Sequence, residues 1–187
     1  MALGLGNGIP SGSARDILLV SYTDSIYDPA SSSSVDGWSG YSIDQGSVII
    51  NASATAGNTN LVAFSATQTD DAGVERAFIT DNGIAGDYLE ITFGIAVGAA
   101  NDKWGAGDGD PVPVTVKCLG VESTSNVSIN DLNTLTTITT KLTATGSYSS
   151  ATDKKIIIYF KASNSELPQE NAAVRFGSIS AQLYRAI

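Results

Sequence analysis

The sequence predicts an all-β protein, a two-sheet antiparallel β-sandwich (jelly roll) with an extended N-terminal arm. Three observations carry that prediction. Residues 88–97 alternate strictly, with Leu89, Ile91, Phe93, Ile95 and Val97 on one face and Tyr88, Glu90, Thr92, Gly94 and Ala96 on the other. Period-two alternation rich in β-branched and aromatic side chains marks a strand with one buried face. Similar segments recur along the chain, roughly ten in all, divided by turn residues and with almost no helical pattern. Charged residues make up only 16% of the chain while hydrophobic ones reach 42%, so the expected surface is polar but largely uncharged.

Taken in order, residues 1–15 read as the arm. Leu3, Leu5 and Ile9 stand between glycines, without periodicity and with high chain entropy. Residues 16–187 form a single domain with no linker to divide it, a size at which one chain buries a real core. Strands are expected over 16–22, near 38–43, and over 46–52, 60–67 and 74–80. The 88–97 strand follows, and then a long glycine- and aspartate-rich loop ending at Pro113. Beyond it lie strands over 114–121, 134–145, 154–161 and 174–184, with a polar stretch holding one helical turn between the first two. Leu135 is out of phase with Ile138, Leu142 and Ala144, which predicts a bulge near Thr136 and Thr137. In the last strand Val174 and Phe176 share a face that Ile179, Ala181 and Leu183 take over after Gly177, as a glycine bulge allows.

Composition excludes several functions. The net charge of −9, with ten Lys and Arg in total, argues against nucleic acid and against an anionic membrane surface. No apolar run approaches a transmembrane span. The start of the chain lacks the basic lead and apolar core of a signal peptide, which predicts synthesis and retention in a cytoplasm. Cys118 is alone, so it forms no intramolecular disulfide, and its phase with Val114 and Val116 makes it a buried small hydrophobe.

Enzymatic chemistry finds little support. There is no histidine, so the usual triads and histidine-containing metal sites are absent. Glu75, Glu90, Asp102 and Asp110 are the carboxylates available for an acid–base pair, and nothing in their spacing brings two together. Asp102, Asp108 and Asp110 offer oxygen ligands for calcium among glycines. The loop lacks the EF-hand spacing, however, and Lys103 opposes a cation, so it is read as a solvated turn-rich loop and no cofactor is expected. The aromatics suited to stacking on a sugar ring are Trp38, Tyr41 and Trp104. Trp38 also suits a partly buried sandwich position, whereas Trp104 sits mid-loop with no hydrophobic neighbour and reads as a contact residue or an end plug.

Two resemblances add to this reading. Trp38 after Asp36-Gly37, the strand from Gly46, the strand opening Gly86-Asp-Tyr-Leu-Glu-Ile-Thr-Phe, Lys155-Ile-Ile-Ile-Tyr-Phe and the closing Phe176–Leu183 strand occur in a telling order. That order resembles the carbohydrate-binding (galactose-binding-like) jelly-roll modules attached to glycoside hydrolases. Those modules often hold a structural calcium on an acidic residue opening the last strand, where this chain has Gly177-Ser-Ile-Ser. The acidic, histidine-free composition with an arm also resembles phage virion accessory proteins. The resulting expectation is a non-enzymatic virion structural protein, a capsid decoration or appendage component anchored through Leu3, Leu5 and Ile9. Its expected partners are other virion proteins and identical copies, such as a trimer. The alternative is a glycan-binding, receptor-recognising module using Trp38, Tyr41 and Trp104.

Overall fold

The computed structural model describes residues 16–25, 37–42, 48–51, 60–64, 71–97, 111–128, 136–160 and 173–187. Among them are eleven strands and no helix. They are β1 (Ile17–Ser25), β2 (Trp38–Ser42), β3 (Val48–Asn51), β4 (Asn60–Phe64), β5 (Ala72–Ala77) and β6 (Tyr88–Val97), followed by β7 (Pro111–Cys118), β8 (Val121–Ser128), β9 (Thr136–Thr143), β10 (Lys155–Phe160) and β11 (Ala173–Arg185). One sheet, here sheet A, runs β3-β4-β11-β6-β9, with β1 also paired to β11; the other, sheet B, runs β2-β5-β10-β7-β8. Every pairing is antiparallel. The two sheets pack into the β-sandwich of a jelly roll.

The alternation seen in the sequence sets the core. Leu89, Ile91, Phe93 and Ile95 of β6 are fully buried, flanked in register by Ile138 and Leu142 of β9 and by Ile179, Ala181 and Leu183 of β11. Sheet B meets them with Trp38, Ala72, Val74, Val114, Val116, Cys118, Ile156, Ile158 and Phe160. Each large apolar side chain taken out of water contributes roughly 1.5–3 kcal/mol before entropy is charged against it. Cys118 is buried as its phase requires, with its thiol pushed up to about 12, chiefly by burial.

Three local features depart from the sequence expectation or refine it. Where one strand is expected over 114–121, residues 111–128 form a hairpin, with β7 and β8 joined at Leu119 and Gly120; the rest of the polar stretch, 129–135, lies outside the described residues. Both turn residues have positive φ, 58° and 71°, as a two-residue hairpin turn requires. A leucine there is strained, but its side chain is buried and its N–H donates to the Asp153 carbonyl at 2.7 Å. The bulge expected near Thr136 and Thr137 is absent, since β6 and β9 stay in register from Tyr88 opposite Thr143 to Ile95 opposite Thr136; Leu135 lies outside the described residues. The bulge expected at Gly177 is present between Phe176 and Ile179, and a second interrupts β1 between Leu18 and Val20.

One end of sheet A is tied by a buried carboxylate. Asp87, just before β6, is fully buried and accepts from Arg185 Nε and Nη2, both at 2.8 Å. The Tyr148 hydroxyl donates to it at 3.0 Å and the Ile84 N–H at 3.1 Å. Four donors satisfy a charge that would otherwise be costly to bury. Hydrogen bonding from Arg185, outweighing burial, holds the Asp87 carboxyl below its ordinary value. Tyr148 lies directly over Gly83, where any Cβ would meet the ring at 1.8 Å, and the two residues pair as an isolated bridge.

Candidate functional site

Two broad outer faces are left once the core is assigned. On sheet B the register aligns Tyr41, Gly73, Tyr159, Thr115 and Thr124 in one outward row, and Ser39, Glu75, Ile157, Lys117 and Glu122 in the next. Gly73 permits a close approach between Tyr41 and Tyr159 in the first row, since a Cβ there would stand 2.0 Å from the Ile158 carbonyl oxygen. The Tyr41 and Tyr159 rings meet at 5.6 Å with an interplanar angle of 57°, a tilted aromatic pair.

Polar groups surround this pair in a fixed arrangement. The Tyr159 hydroxyl donates to Glu122 Oε2 at 2.7 Å, and Lys155 Nζ meets Glu75 Oε1 at 2.7 Å. Thr115 and Thr124 share a hydroxyl hydrogen bond of 2.8 Å. Burial, reinforced by the negative charges of Asp71, Glu75 and Glu122, raises the Tyr41 phenol above its usual range. Tyr159 is raised as well, by burial first and then by its bond to Glu122. Both phenols are therefore protonated at any physiological pH, and that of Tyr159 donates to Glu122. Tyr41 is half-buried, while Tyr159, Thr115 and Ile157 are buried although their row points away from the core.

Of the aromatics singled out in the sequence, only Tyr41 is placed on an outer face. Trp38 is a correction. Its ring is fully buried and its indole N–H donates to the Tyr22 hydroxyl at 3.2 Å, so it presents no face to a sugar. The reason lies in register: Trp38 pairs with Arg76 on the inward row, where a large indole gains most from leaving water. The Arg76 guanidinium covers the Tyr22 ring at 4.2 Å beside it. Trp104, the acidic loop of Asp102, Asp108 and Asp110, and the anchoring residues Leu3, Leu5 and Ile9 lie outside the described residues. Among the described residues no group of three metal-ligating side chains converges.

Tyr159 is not among the aromatics singled out in the sequence, although the strand over 154–161 reads with only Ile156, Ile158 and Phe160 facing in. The signal was its phase: with Ile156, Ile158 and Phe160 inward, Ile157 and Tyr159 face outward.

No protein-family model matches the chain, and no curated protein matches its sequence. Its fold is similar to solved structures at low identity. A cyclase from Fischerella sp. TAU is 14% identical, with a TM-score of 0.52, over 89% of this chain and 100% of that one. A structure described as "CBM4 structure and function" is 13% identical, with a TM-score of 0.48, over 79% and 95%. The CBM22-1 xylan-binding domain from Paenibacillus barcinonensis Xyn10C is 15% identical, with a TM-score of 0.42, over 92% and 97%. At 14% identity the likeness to the cyclase is one of fold alone.

Proposed function

We propose that this protein is a non-enzymatic glycan-binding module whose binding face is the outer surface of sheet B. The observation that carries the reading is the Tyr41–Tyr159 pair set among Glu75, Glu122 and Lys155. Sugar recognition needs an apolar ring against the C–H face of a pyranose and nearby groups that exchange hydrogen bonds with its hydroxyls. Tyr41 supplies the ring and a protonated phenol, while the carboxylates and Lys155 supply acceptors and a donor. The carboxylates hold hydrogen bonds or ion pairs of their own rather than standing as a naked acid–base pair, which favours binding over hydrolysis.

The test is electrophoretic retention of the full chain in gels containing soluble xylan or hydroxyethylcellulose. Retardation of the parent, lost in Tyr41→Ala with an unchanged melting temperature, is the expected result. Equal retardation of parent and variant, or none for the parent, would sink the assignment. Trp104→Ala run beside them separates a loop-borne site from this one. The virion reading rests on the arm and is tested separately, by deleting residues 1–13 and measuring whether the folded remainder still joins an assembly.

A further inference from the structure

The outer face of sheet A carries different chemistry. Its rows run Gln182, Glu90 and Lys141, and then Ser180, Thr92 and Thr139, across β11, β6 and β9. Above these two rows lies an open depression of about 450 Å³ lined by all six side chains. The next row along β11 and β6 carries Tyr184 and Tyr88, whose rings stack 5.1 Å apart and 21° from parallel. On the opposite side of the two rows Gly94 offers no side chain. A second depression of about 350 Å³ runs past Thr137 to Ser125 and Asn126 of β8, and the two share Thr139. Each volume falls within the range of small-ligand sites. Together they make one track that crosses sheet A and turns over the sandwich edge.

The lining dictates the ligand class. Threonine and serine hydroxyls and the Gln182 amide each donate and accept, as sugar hydroxyls do. Thr92 and Thr139 already share a bond of 3.0 Å, so the floor is ordered before any ligand arrives. Among the described residues the full charges of this lining are Glu90 and Lys141, 3.6 Å apart, which cancel each other. Lys141 is held further, with its ammonium 3.5 Å from the centre of the Tyr88 ring. A long cationic side chain tethered at two points has lost much of its rotamer freedom in advance. Val127 and Ile138 are the apolar side chains of the described lining, and both are buried, so neither projects as the large exposed anchor that a protein partner uses as a hot spot.

We propose that this track is a second saccharide site, separate from the sheet B face, for an extended, neutral oligosaccharide. Because Lys141 and Tyr184 already cover the Tyr88 ring, stacking adds little and hydrogen bonds dominate. A dissociation constant of about 1 mM is the corresponding expectation.

The experiment is a titration of the isotopically labelled full-length protein with cellohexaose and with xylohexaose, followed by amide chemical shifts. The expected result is saturable shifts at Thr92, Thr139 and Ser180 that continue to Asn126, whether or not Tyr41 and Tyr159 respond. Thr92→Val with Thr139→Val, isosteric changes at strand positions that keep the fold, should weaken those shifts about tenfold. Amides along the track that stay still with both hexaoses at about 10 mM, some ten times the expected constant, overturn the proposal. Shifts that stop at Thr139 overturn the extended ligand. Because the two faces report through different amides, failure here is distinguishable from failure of the Tyr41 site.

Discussion

Sheets A and B are built from the same alternation, yet their outer faces ended up in different physical states. On sheet A the outward side chains are Thr, Ser, Gln, Glu and Lys, lying open to water. Glu90 and Lys141 keep about half their side-chain exposure. On sheet B the outward rows include Ile157, Thr115 and Tyr159, at 1%, 0% and 3% exposure. At these three positions the outer face of sheet B is covered, while Ser39, Tyr41, Glu122 and Thr124 around them keep exposure; on sheet A none of the outward side chains named above is buried. The lesson is that outward phase does not imply solvent, and that substitutions at matching positions of the two sheets should differ sharply in cost.

The largest effect should come where sheet B is tightest. Gly73→Ala drives a Cβ into the Ile158 carbonyl at 2.0 Å, and a backbone atom cannot rotate away. Chemical denaturation should show a loss of about 3 kcal/mol. Ile157→Ala, an outward position that is nonetheless buried, should cost a similar 2–5 kcal/mol. The matching change on sheet A, Thr92→Val, should stay within about 0.5 kcal/mol. A small loss for Ile157→Ala would show that the sheet B face is as open as that of sheet A.

Asp87 belongs to neither face, and it sharpens the comparison by showing what a truly buried charge does. Asp87→Asn should cost about 2–4 kcal/mol, because Arg185 loses its buried counter-charge and the new amide NH2 replaces one of the two oxygens that accept from Arg185, Tyr148 and Ile84. The carboxyl is lowered in the folded state, so its contribution is complete above the unfolded value near 3.9 and is lost as pH falls through the folded one. Acid unfolding followed by circular dichroism should therefore begin below about pH 4 in the parent and lose that component in the variant. At high pH the sign reverses. Tyr88, raised to about 12 mainly by its hydrogen bond to Asp16, contributes stability that is whole below about pH 10 and is lost as pH rises through the folded value.

The smallest effects distinguish the two surface ion pairs. Glu75 and Lys155 on sheet B are 2.7 Å apart and largely covered, so Glu75→Gln should cost about 1 kcal/mol. Glu90 and Lys141 on sheet A are 3.6 Å apart and half-exposed, and Glu90→Gln should be nearly silent, below about 0.5 kcal/mol. Melting curves at low and high salt provide the check: the Glu75→Gln loss should be the larger and the less sensitive to salt, and a larger loss for Glu90→Gln would reverse the assignment.

Much of the architecture was legible in the residues themselves. The strict phase of Leu89 to Ile95 made β6 a strand with one buried face, and Gly177 marked a bulge that the pairing of β11 with β6 displays. The phase of Cys118 with Val114 and Val116 made its thiol a core group. These features are local, because alternation and backbone freedom are properties of a few consecutive residues. The β7–β8 hairpin was hidden for the opposite reason. Leu119 adopts positive φ only because its side chain is buried and Asp153 receives its N–H, and both partners come from elsewhere in the chain. Trp38 could be read as platform or core until pairing with β5 put it on the inward row. The site itself was least legible. Tyr41 and Tyr159 lie 118 positions apart in sequence and meet only because β5 aligns both strands through Gly73. Sequence determines which faces a strand can offer, and the order and register of strands, set by long-range pairing, decide which side chains share one.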